Sequence, residues 1–279
     1  MIFNIGGSAP APLPAFTGSH AIFGDGRAGY IEIYSSGTLT FSKKTVVDVF
    51  LLGSGLCGAT GSASSTSGGY YPNAYYSLSS TGGKGGNGAA GKTIKALNVN
   101  AGAYDIMVGA ECASTSSANS SSAFGESANS VVSNGGKGAV INATINANDM
   151  SLVSSNKTVG ANGADGTSYP FAESVLSETV DPSSIWYEQS LGAGGGGGAA
   201  RASDWTYGYS GGVLGGGNGG VYESSGSQSG CTPGMPNTGS GGGGGGSAAY
   251  PSNKTYKFPG GKGGSGIVIV RWGDWSDAA

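Results

Sequence analysis

Hydrophobic residues of this chain gather in short runs, which are separated by stretches of Gly, Ser and Asn. The runs are rich in β-branched and aromatic residues, which favour strands, and no stretch makes an equally convincing helix. The pattern predicts strands at residues 30–34, 38–41, 45–52, 93–99, 104–108, 139–145 and 266–272. We therefore expect an all-β fold with almost no α-helix.

Short polar segments between these runs predict how the strands connect. Ser35-Ser36-Gly37 follows the first run, and a three-residue loop that ends in Gly suits a hairpin with a G1 bulge. Ala101-Gly102 predicts a similar turn before residues 104–108. Residues 267–270 are continuously apolar, which suits a central strand covered on both faces. The C-terminus is therefore expected to pair with strands formed before residue 150.

Glycine recurs at every third position between the strands. The positions are Gly55, Gly58 and Gly61; Gly82, Gly85, Gly88 and Gly91; Gly160, Gly163 and Gly166; and Gly260, Gly263 and Gly266. This period is typical of a polyproline-II-like helix, which has three residues per turn and no internal hydrogen bonds. Such helices can pack together where Gly faces the neighbour, because the bare backbone then bonds across.

Three denser glycine runs, at residues 194–198, 215–220 and 241–246, present Gly on all three faces and are expected inside the bundle. A flexible linker is the alternative for them. Collagen is excluded, because the tracts contain only three or four triplets and almost no Pro.

These patterns together predict a small antiparallel β-sheet or sandwich core with a glycine-rich polyproline-II helix bundle and long loops. We expect an N-terminal attachment segment at residues 1–20, followed by a β core with the first glycine-rich insertions at 21–153. The bundle with its loops then occupies 154–279 and includes the closing core strand 266–272. Disorder is disfavoured, because 9% of residues are aromatic and the net charge is only -3.

Composition excludes several classes of function. The 279 residues include 58 Gly, and only 10% of them are charged, so no basic surface is available for nucleic acid. No run approaches eighteen apolar residues, and the N-terminus has no secretory signal, so membrane insertion is not expected. Cys57, Cys112 and Cys231 are odd in number and far apart, and they are expected to be free, mostly buried thiols rather than metal ligands.

Two glycine motifs resemble nucleotide-binding loops. Residues 53–58 match the dinucleotide fingerprint G-x-G-x-x-G, and residues 86–93 match the phosphate-binding loop G-x-x-x-x-G-K-[ST]. Both motifs need a following helix, whereas Ser and Gly follow the first, and residues 94–99 alternate like a strand. His20 is the only histidine, which leaves little for a catalytic triad. We expect no enzymatic activity, no cofactor and no metal.

The order of several segments resembles the glycine-rich tail-fibre and adhesin proteins of phages and prophages. Gly37-Thr-Leu-Thr-Phe41 precedes an apolar strand and a glycine block, residues 99–109 resemble the family's unit of turn, strand and Val-Gly, and the chain closes with Gly-Ile-Val-Ile-Val-Arg-Trp. Ser54, Leu56 and Cys57 depart from the usual glycine block. The first bundle element is therefore expected to be shortened or unusually packed.

This resemblance implies a virion protein that is extracellular after host lysis and attaches the particle to a bacterial surface receptor, either a glycan or an outer-surface protein. The glycine helices would form the platform, and the N-terminal segment would bind other phage tail proteins. A homotrimer is left open. The alternatives are an architectural virion protein without receptor contact and an ice-binding or cell-wall glycine-helix protein.

Receptor contact is expected in polar and aromatic loops, since loops on rigid frameworks carry function. Rigid amphipathic rings beside Asn, Asp and Ser suit sugars or protein loops. The candidate residues are Tyr70, Tyr71, Tyr75 and Tyr76; Trp186 and Tyr187; and Trp205, Tyr207 and Tyr209. The alternative is that these rings cover the glycine bundle or fill a small core. Arg271 and Trp272, at the end of a core strand, are assigned to structure.

Overall fold

The computed structural model describes residues 12–112, 114–128, 131–133, 135–166, 191–202, 205–207, 216–222 and 227–273. Within these ranges the chain is all-β, without an α-helix, as the sequence predicts, and no helix there could cross a membrane. The strands are β1 (Ala15–Phe16), β2 (His20–Gly24), β3 (Gly29–Ile33), β4 (Gly37–Phe41), β5 (Thr45–Leu52), β6 (Ser62–Gly68), β7 (Tyr75–Thr81), β8 (Gly88–Ala89), β9 (Gly91–Val99), β10 (Gly102–Ile106), β11 (Ser121–Ala123), β12 (Glu126–Ala128), β13 (Val131–Ser133), β14 (Val140–Asn146), β15 (Leu152–Thr158), β16 (Ala200–Ala202), β17 (Trp205–Tyr207), β18 (Val221–Tyr222), β19 (Gln228–Ser229), β20 (Ser247–Tyr250), β21 (Lys254–Lys257) and β22 (Ile267–Trp272).

Two antiparallel sheets form what we call the base sandwich. A five-stranded sheet has the order β2-β3-β22-β5-β9, and a three-stranded sheet has the order β1-β4-β10. Strand β22 lies at the centre, where Val270 is opposite both Ile31 and Val49. All three side chains are fully buried between the sheets. The predicted return of the C-terminus to early strands, and its position at the centre of the sheet, are thus confirmed.

The predicted hairpin at residues 35–37 is wrong. Strand β3 pairs with β2 and β22, whereas β4 pairs with β1 and β10, so the chain crosses from one sheet to the other. The turn at residues 101–102 likewise joins β9 of one sheet to β10 of the other. The reason is that apolar side chains such as Ile33 and Leu39 exclude more water when the strands stack face to face.

A second pair of sheets forms the distal sandwich. One sheet is antiparallel with the order β15-β14-β7-β6, and the other has the order β17-β16-β20-β21, with β16 and β20 parallel. Their shared core is small, and a hydrogen bond of 2.7 Å joins the buried hydroxyls of Ser80 and Ser247. The buried apolar residues of this core are Ala63, Leu78, Ala139, Ile141, Ala143, Ile145, Ala200, Ala202 and Ala249.

Extended glycine tracts, here called the glycine bundle, connect the two sandwiches. Tract 53–61 runs from β5 to β6, tract 82–87 returns from β7 to β8, and tract 258–266 returns from β21 to β22. Further tracts are residues 135–139, 159–166, 193–199, 217–220 and 240–246. Because the tracts begin and end at the sandwiches, the base and the distal sandwich lie at opposite ends of the bundle.

Tract 240–246 shows how the bundle is bonded. Its successive N–H groups point to different neighbours, and the pattern repeats after three residues, as a polyproline-II-like helix requires. Gly241 N bonds to Ala193 O at 2.8 Å, Gly242 N to Leu56 O at 3.0 Å, Gly243 N to Thr232 O at 3.1 Å, Gly244 N to Gly196 O at 2.8 Å and Gly245 N to Ala59 O at 2.9 Å. Carbonyls of the same tract also accept bonds: Gly241 O from Gly217 N, Gly243 O from Gly261 N and Gly245 O from Gly83 N.

Close approach of backbones explains why the period consists of glycine. A Cβ atom at Gly58 would lie 1.9 Å from the carbonyl oxygen of Gly243, and one at Gly85 would lie 1.9 Å from that of Gly195. Both partners are backbone atoms, which cannot rotate away as a side chain can. The dense runs 194–198 and 241–246 are fully buried, so their predicted interior position is confirmed, and residue 215 of the third run lies outside the described residues.

The expectation of three free thiols is wrong for two of them. Cys57, in tract 53–61, forms a disulfide with Cys112, and their Cα atoms are 5.8 Å apart. Cys231 is the free cysteine. The distance in sequence gave no hint of the pair, because tract 53–61 and the segment after β10 meet only through the folded bundle. The departure from the usual glycine block at residues 54–57 is therefore the place where a disulfide joins the glycine bundle to the segment that follows β10.

Arg271 and Trp272 have structural roles, as predicted. Arg271 pairs with Asp48 across β22 and β5, and Asp48 also accepts a 2.8 Å bond from Ala96 N. The Trp272 ring is buried in the base sandwich, where its Nε1 donates to Asp25 O at 2.9 Å. Burial acts to raise the pKa of Asp48, but the hydrogen bonds from Arg271 and Ala96 outweigh it and leave that pKa below its usual value.

We expect Gly85→Ala to destabilise the protein by about 3 kcal/mol, because the new methyl group would overlap a backbone carbonyl that cannot move aside. Lys84→Ala is the matched control, since Lys84 lies in the same tract with an exposed side chain. The control is expected to change the free energy of unfolding by less than about 0.5 kcal/mol. Urea titration measures the free energy of unfolding of each variant, and equal losses in the two would contradict the close contact between the backbones of neighbouring tracts.

Replacement of Cys57 and Cys112 by Ser is expected to cost about 4 kcal/mol of stability, because the disulfide closes a loop with a sequence separation of 55. Cys231→Ser is the control and leaves the midpoint of urea unfolding close to that of the parent. Alkylation of the unfolded parent should label one cysteine before reduction and three after it. Labelling of three cysteines without reductant would refute the pairing.

The Asp48 carboxylate should make the free energy of unfolding depend on pH in the acidic range. Since its folded pKa is lowered, its contribution is complete above the ordinary aspartate pKa of about 3.9 and is lost as pH falls through the lower folded value. Asp48→Asn should therefore be less stable than the parent at neutral pH, and the difference should shrink in acid. Urea midpoints of the two proteins across this range test it, and a difference that is constant with pH would contradict the assignment.

Candidate functional site

Three of the predicted tyrosines lie at the end of the distal sandwich that points away from the glycine bundle. The side chains of Tyr70 and Tyr71 are 92% and 85% exposed, and Tyr75 is 42% exposed. Tyr70 and Tyr71 belong to the turn between β6 and β7, which is closed by a 2.7 Å bond from Asn73 N to Tyr70 O, and Tyr75 is the first residue of β7. Adjacent exposed rings of this size make the turn a candidate contact site. We call this turn, together with Tyr75, the tyrosine tip.

A neighbouring turn supports the tyrosine tip. The turn between β14 and β15 packs beside it, where Asn148 Nδ2 donates to Pro72 O at 2.7 Å and Ala147 N donates to Ala74 O at 3.0 Å. Strands β7 and β14 are paired along their length, so the two turns emerge side by side from one sheet. The exposed rings are therefore carried by a framework with its own hydrogen bonds.

The other residues predicted to contact a receptor do not lie at the tyrosine tip or are outside the described residues. Tyr76 is half-buried and packs against the core of the distal sandwich, so it is not part of the exposed tip. Trp205 and Tyr207 lie in β17, which pairs with β16 in the other distal sheet. Trp186, Tyr187 and Tyr209 lie outside the described residues. The structure thus brings together three of the nine candidates.

The outer face of the β15-β14-β7-β6 sheet is a polar surface that continues from the tyrosine tip, and sequence reasoning missed it. The strand register aligns its side chains into rows across the four strands. One row contains Ser64, Ser79, Asn142 and Asn156, and the next contains Thr66, Ser77, Thr144 and Ser154. All eight side chains are exposed or half-exposed. We call these two rows the hydroxyl–amide face.

Tyr75 connects this face to the tip. It lies opposite both Gly68 and Asn146 in the next row of the sheet. Its ring occupies the space beside Gly68, since a Cβ at that glycine would lie 2.6 Å from the ring. An aromatic ring therefore stands at the edge of the two polar rows, on the same side of the sheet.

Charge is sparse in this region. The two rows contain only Ser, Thr and Asn. Asp149 lies in the neighbouring turn, where Ser151 donates to it through its hydroxyl at 2.6 Å and its N–H at 3.0 Å. These bonds lower the pKa of Asp149, so it is ionised at neutral pH and engaged within its own turn.

The motifs that resemble nucleotide-binding loops are part of the scaffold. Residues 53–58 lead from β5 into the glycine bundle, and residues 86–93 pass through β8 into β9. Gly86 N donates to Gly242 O at 2.7 Å, so this backbone amide is used for packing between tracts. Within the described ranges no group of three or more His, Cys, Asp or Glu is placed to hold a metal ion.

A second aromatic cluster lies in the distal part of the molecule and is packed rather than projecting. Tyr222 is buried, and its ring contacts those of Tyr250, Tyr256 and Phe258. The Arg201 guanidinium lies over this cluster, 5.5 Å from the Tyr222 ring centre. The interaction is of the cation–π type and indicates a structural role.

Comparison with known families adds one finding. The profile of a family described as a glycine-rich domain matches residues 34–273, which includes the base sandwich from the end of β3, the glycine bundle and the distal sandwich. No similar protein was found among curated sequences, and no similar fold among solved structures.

Proposed function

We propose, since the chain belongs to the glycine-rich domain family, that it is a receptor-binding module of a phage tail fibre, in which the tyrosine tip contacts a bacterial surface. The proposal rests mainly on the near-complete exposure of Tyr70 and Tyr71. Two adjacent rings in water forgo the stabilisation of burial, which amounts to a few kcal/mol for a large side chain. Contact with a partner would recover it.

The rigidity of the support favours this role. Binding costs less conformational entropy when the contacting groups are already held in place. The tyrosine tip is bonded to the β14–β15 turn, and the sheet beneath it continues into the glycine bundle, whose backbone groups are paired in three directions. A surface of this kind is preorganised for contact.

The positions of the N-terminal segment and the tyrosine tip at opposite ends of the molecule also favour this role. Residues 12–20 of the predicted attachment segment lie in the base sandwich, where β1 pairs with β4, and residues 1–11 lie outside the described ones. The tyrosine tip is at the opposite end of the bundle. This arrangement suits a protein attached to a particle through its base, with the tip directed toward the host.

Fluorescently labelled protein is expected to bind cells of particular strains in a panel of bacteria, as measured by flow cytometry. Replacing both Tyr70 and Tyr71 by Ala should weaken this binding at least tenfold, because paired aromatic contacts commonly dominate such interfaces. Met107→Ala is the control, since Met107 is 58% exposed on the base sandwich, far from the tip.

Two outcomes would count against the proposal. Absence of binding to every strain, with the protein folded, would favour an architectural virion protein. Undiminished binding by the double variant would remove the tyrosine tip from the interface.

A further inference from the structure

The hydroxyl–amide face offers hydrogen-bonding groups that the protein itself leaves largely unused. Among its eight side chains, and within the described part of the chain, only Thr66 makes a hydrogen bond to protein, a weak one of 3.5 Å to Ser77 O. The side-chain amides of Asn142, on the inner strand β14, and of Asn156, beside it on the edge strand β15, are both exposed. Such groups donate and accept equally well.

The dimensions of this surface suit an extended ligand. Rows on one face of a sheet are separated by two residues, or about 6.8 Å, and neighbouring strands by about 4.8 Å. The two polar rows and the Tyr75 row therefore span about 14 Å along the strands and about 14 Å across them. That area accommodates several sugar rings side by side.

We infer that the hydroxyl–amide face and the tyrosine tip together bind a neutral polysaccharide of the bacterial surface. This inference rests on the proposed function and names the class of receptor. Sugar hydroxyls would exchange hydrogen bonds with the Ser, Thr and Asn rows, and the faces of sugar rings would pack on Tyr70, Tyr71 and Tyr75. An acidic polysaccharide fits less well, because these rows provide no cation.

Other ligands match the surface less well. A protein loop would normally meet a more apolar centre, since the core of a protein interface is enriched in aromatic residues and depleted in polar ones. Ice would need a flat surface, whereas the exposed rings of Tyr70 and Tyr71 stand at the end of the face. The continuity of hydroxyl groups, amides and projecting rings is best matched by carbohydrate.

The test uses the full chain, labelled and applied to an array of purified bacterial polysaccharides, both neutral and acidic. Binding is expected to neutral polysaccharides. Replacing both Asn142 and Asn156 by Ala should weaken it at least tenfold, because the surface loses both amides of the row. Asn98→Ala is the matched control, since Asn98 is an exposed asparagine on strand β9 of the base sandwich.

Treatment of a strain that binds the protein separates the classes of receptor. Periodate, which oxidises sugar diols, should abolish cell binding, and protease treatment of the cells should leave it intact. Cell binding that is lost with protease and retained after periodate would overturn the inference while the proposed function stands. Thermal hysteresis without polysaccharide binding would overturn the inference in favour of ice binding. Unchanged polysaccharide binding by the Asn142/Asn156 variant would show that the hydroxyl–amide face is not part of the binding site.

Discussion

The fold depends on hydrogen bonds between extended backbones that have no side chains between them. The N–H groups of residues 194–199 all bond to carbonyls of neighbouring tracts, and the direction rotates with a period of three residues. An extended backbone without internal hydrogen bonds can be buried only where neighbouring segments pair with its amides, since unpaired buried amides are costly. Glycine at the contact positions is therefore a steric requirement, which explains the glycine-rich composition of the tracts.

The bundle determines how the sandwiches can be built. Tracts from distant parts of the sequence interleave, as in the bond from Gly242 to Leu56 O. Four of them, residues 53–61, 135–139, 193–199 and 240–246, lead directly into strands of the distal sandwich. The distal core can consequently rely on Ala and a few larger residues, because the bonded tracts also hold the strands in position. The base sandwich has a larger apolar core of its own.

The sequence predicts the parts of the fold where one physical signal dominates. Strand β22 is continuously apolar and was expected at the centre of a sheet, and the glycine period predicted the tracts. Strands β6 and β15 were missed, because Ser, Thr and Asn on the outer face and small residues such as Ala63 on the inner face remove the alternation of polar and apolar residues. Had β7 been recognised, its alternation would have placed Tyr75 outward and Tyr76 inward.

Errors arose where local and long-range signals compete. The loop at residues 35–37 has the composition of a hairpin turn. The strands nevertheless lie in different sheets, because the apolar faces of β3 and β4 are buried when the two sheets stack. The disulfide between Cys57 and Cys112 depends on the packing of the bundle, which no local pattern reveals. Tyr70, Tyr71 and Tyr75 were predicted because rigid rings stand beside polar residues within a short segment of sequence. The hydroxyl–amide face depends on the register of four strands, which the spacing of residues along the chain does not reveal.

In the proposed receptor-binding role, the separation of scaffold from surface would allow the ligand to change without a change in the scaffold. The side chains of the tyrosine tip and of the hydroxyl–amide face lie on hairpins beyond the ends of the tracts, and they take no part in the bonds between tracts. Substitution there alters hydrogen-bonding groups or rings without placing a methyl group against a neighbouring carbonyl. Under the proposed function, specificity can therefore vary on the β6–β7 and β14–β15 hairpins while the glycine positions, where an added Cβ would overlap backbone, stay fixed.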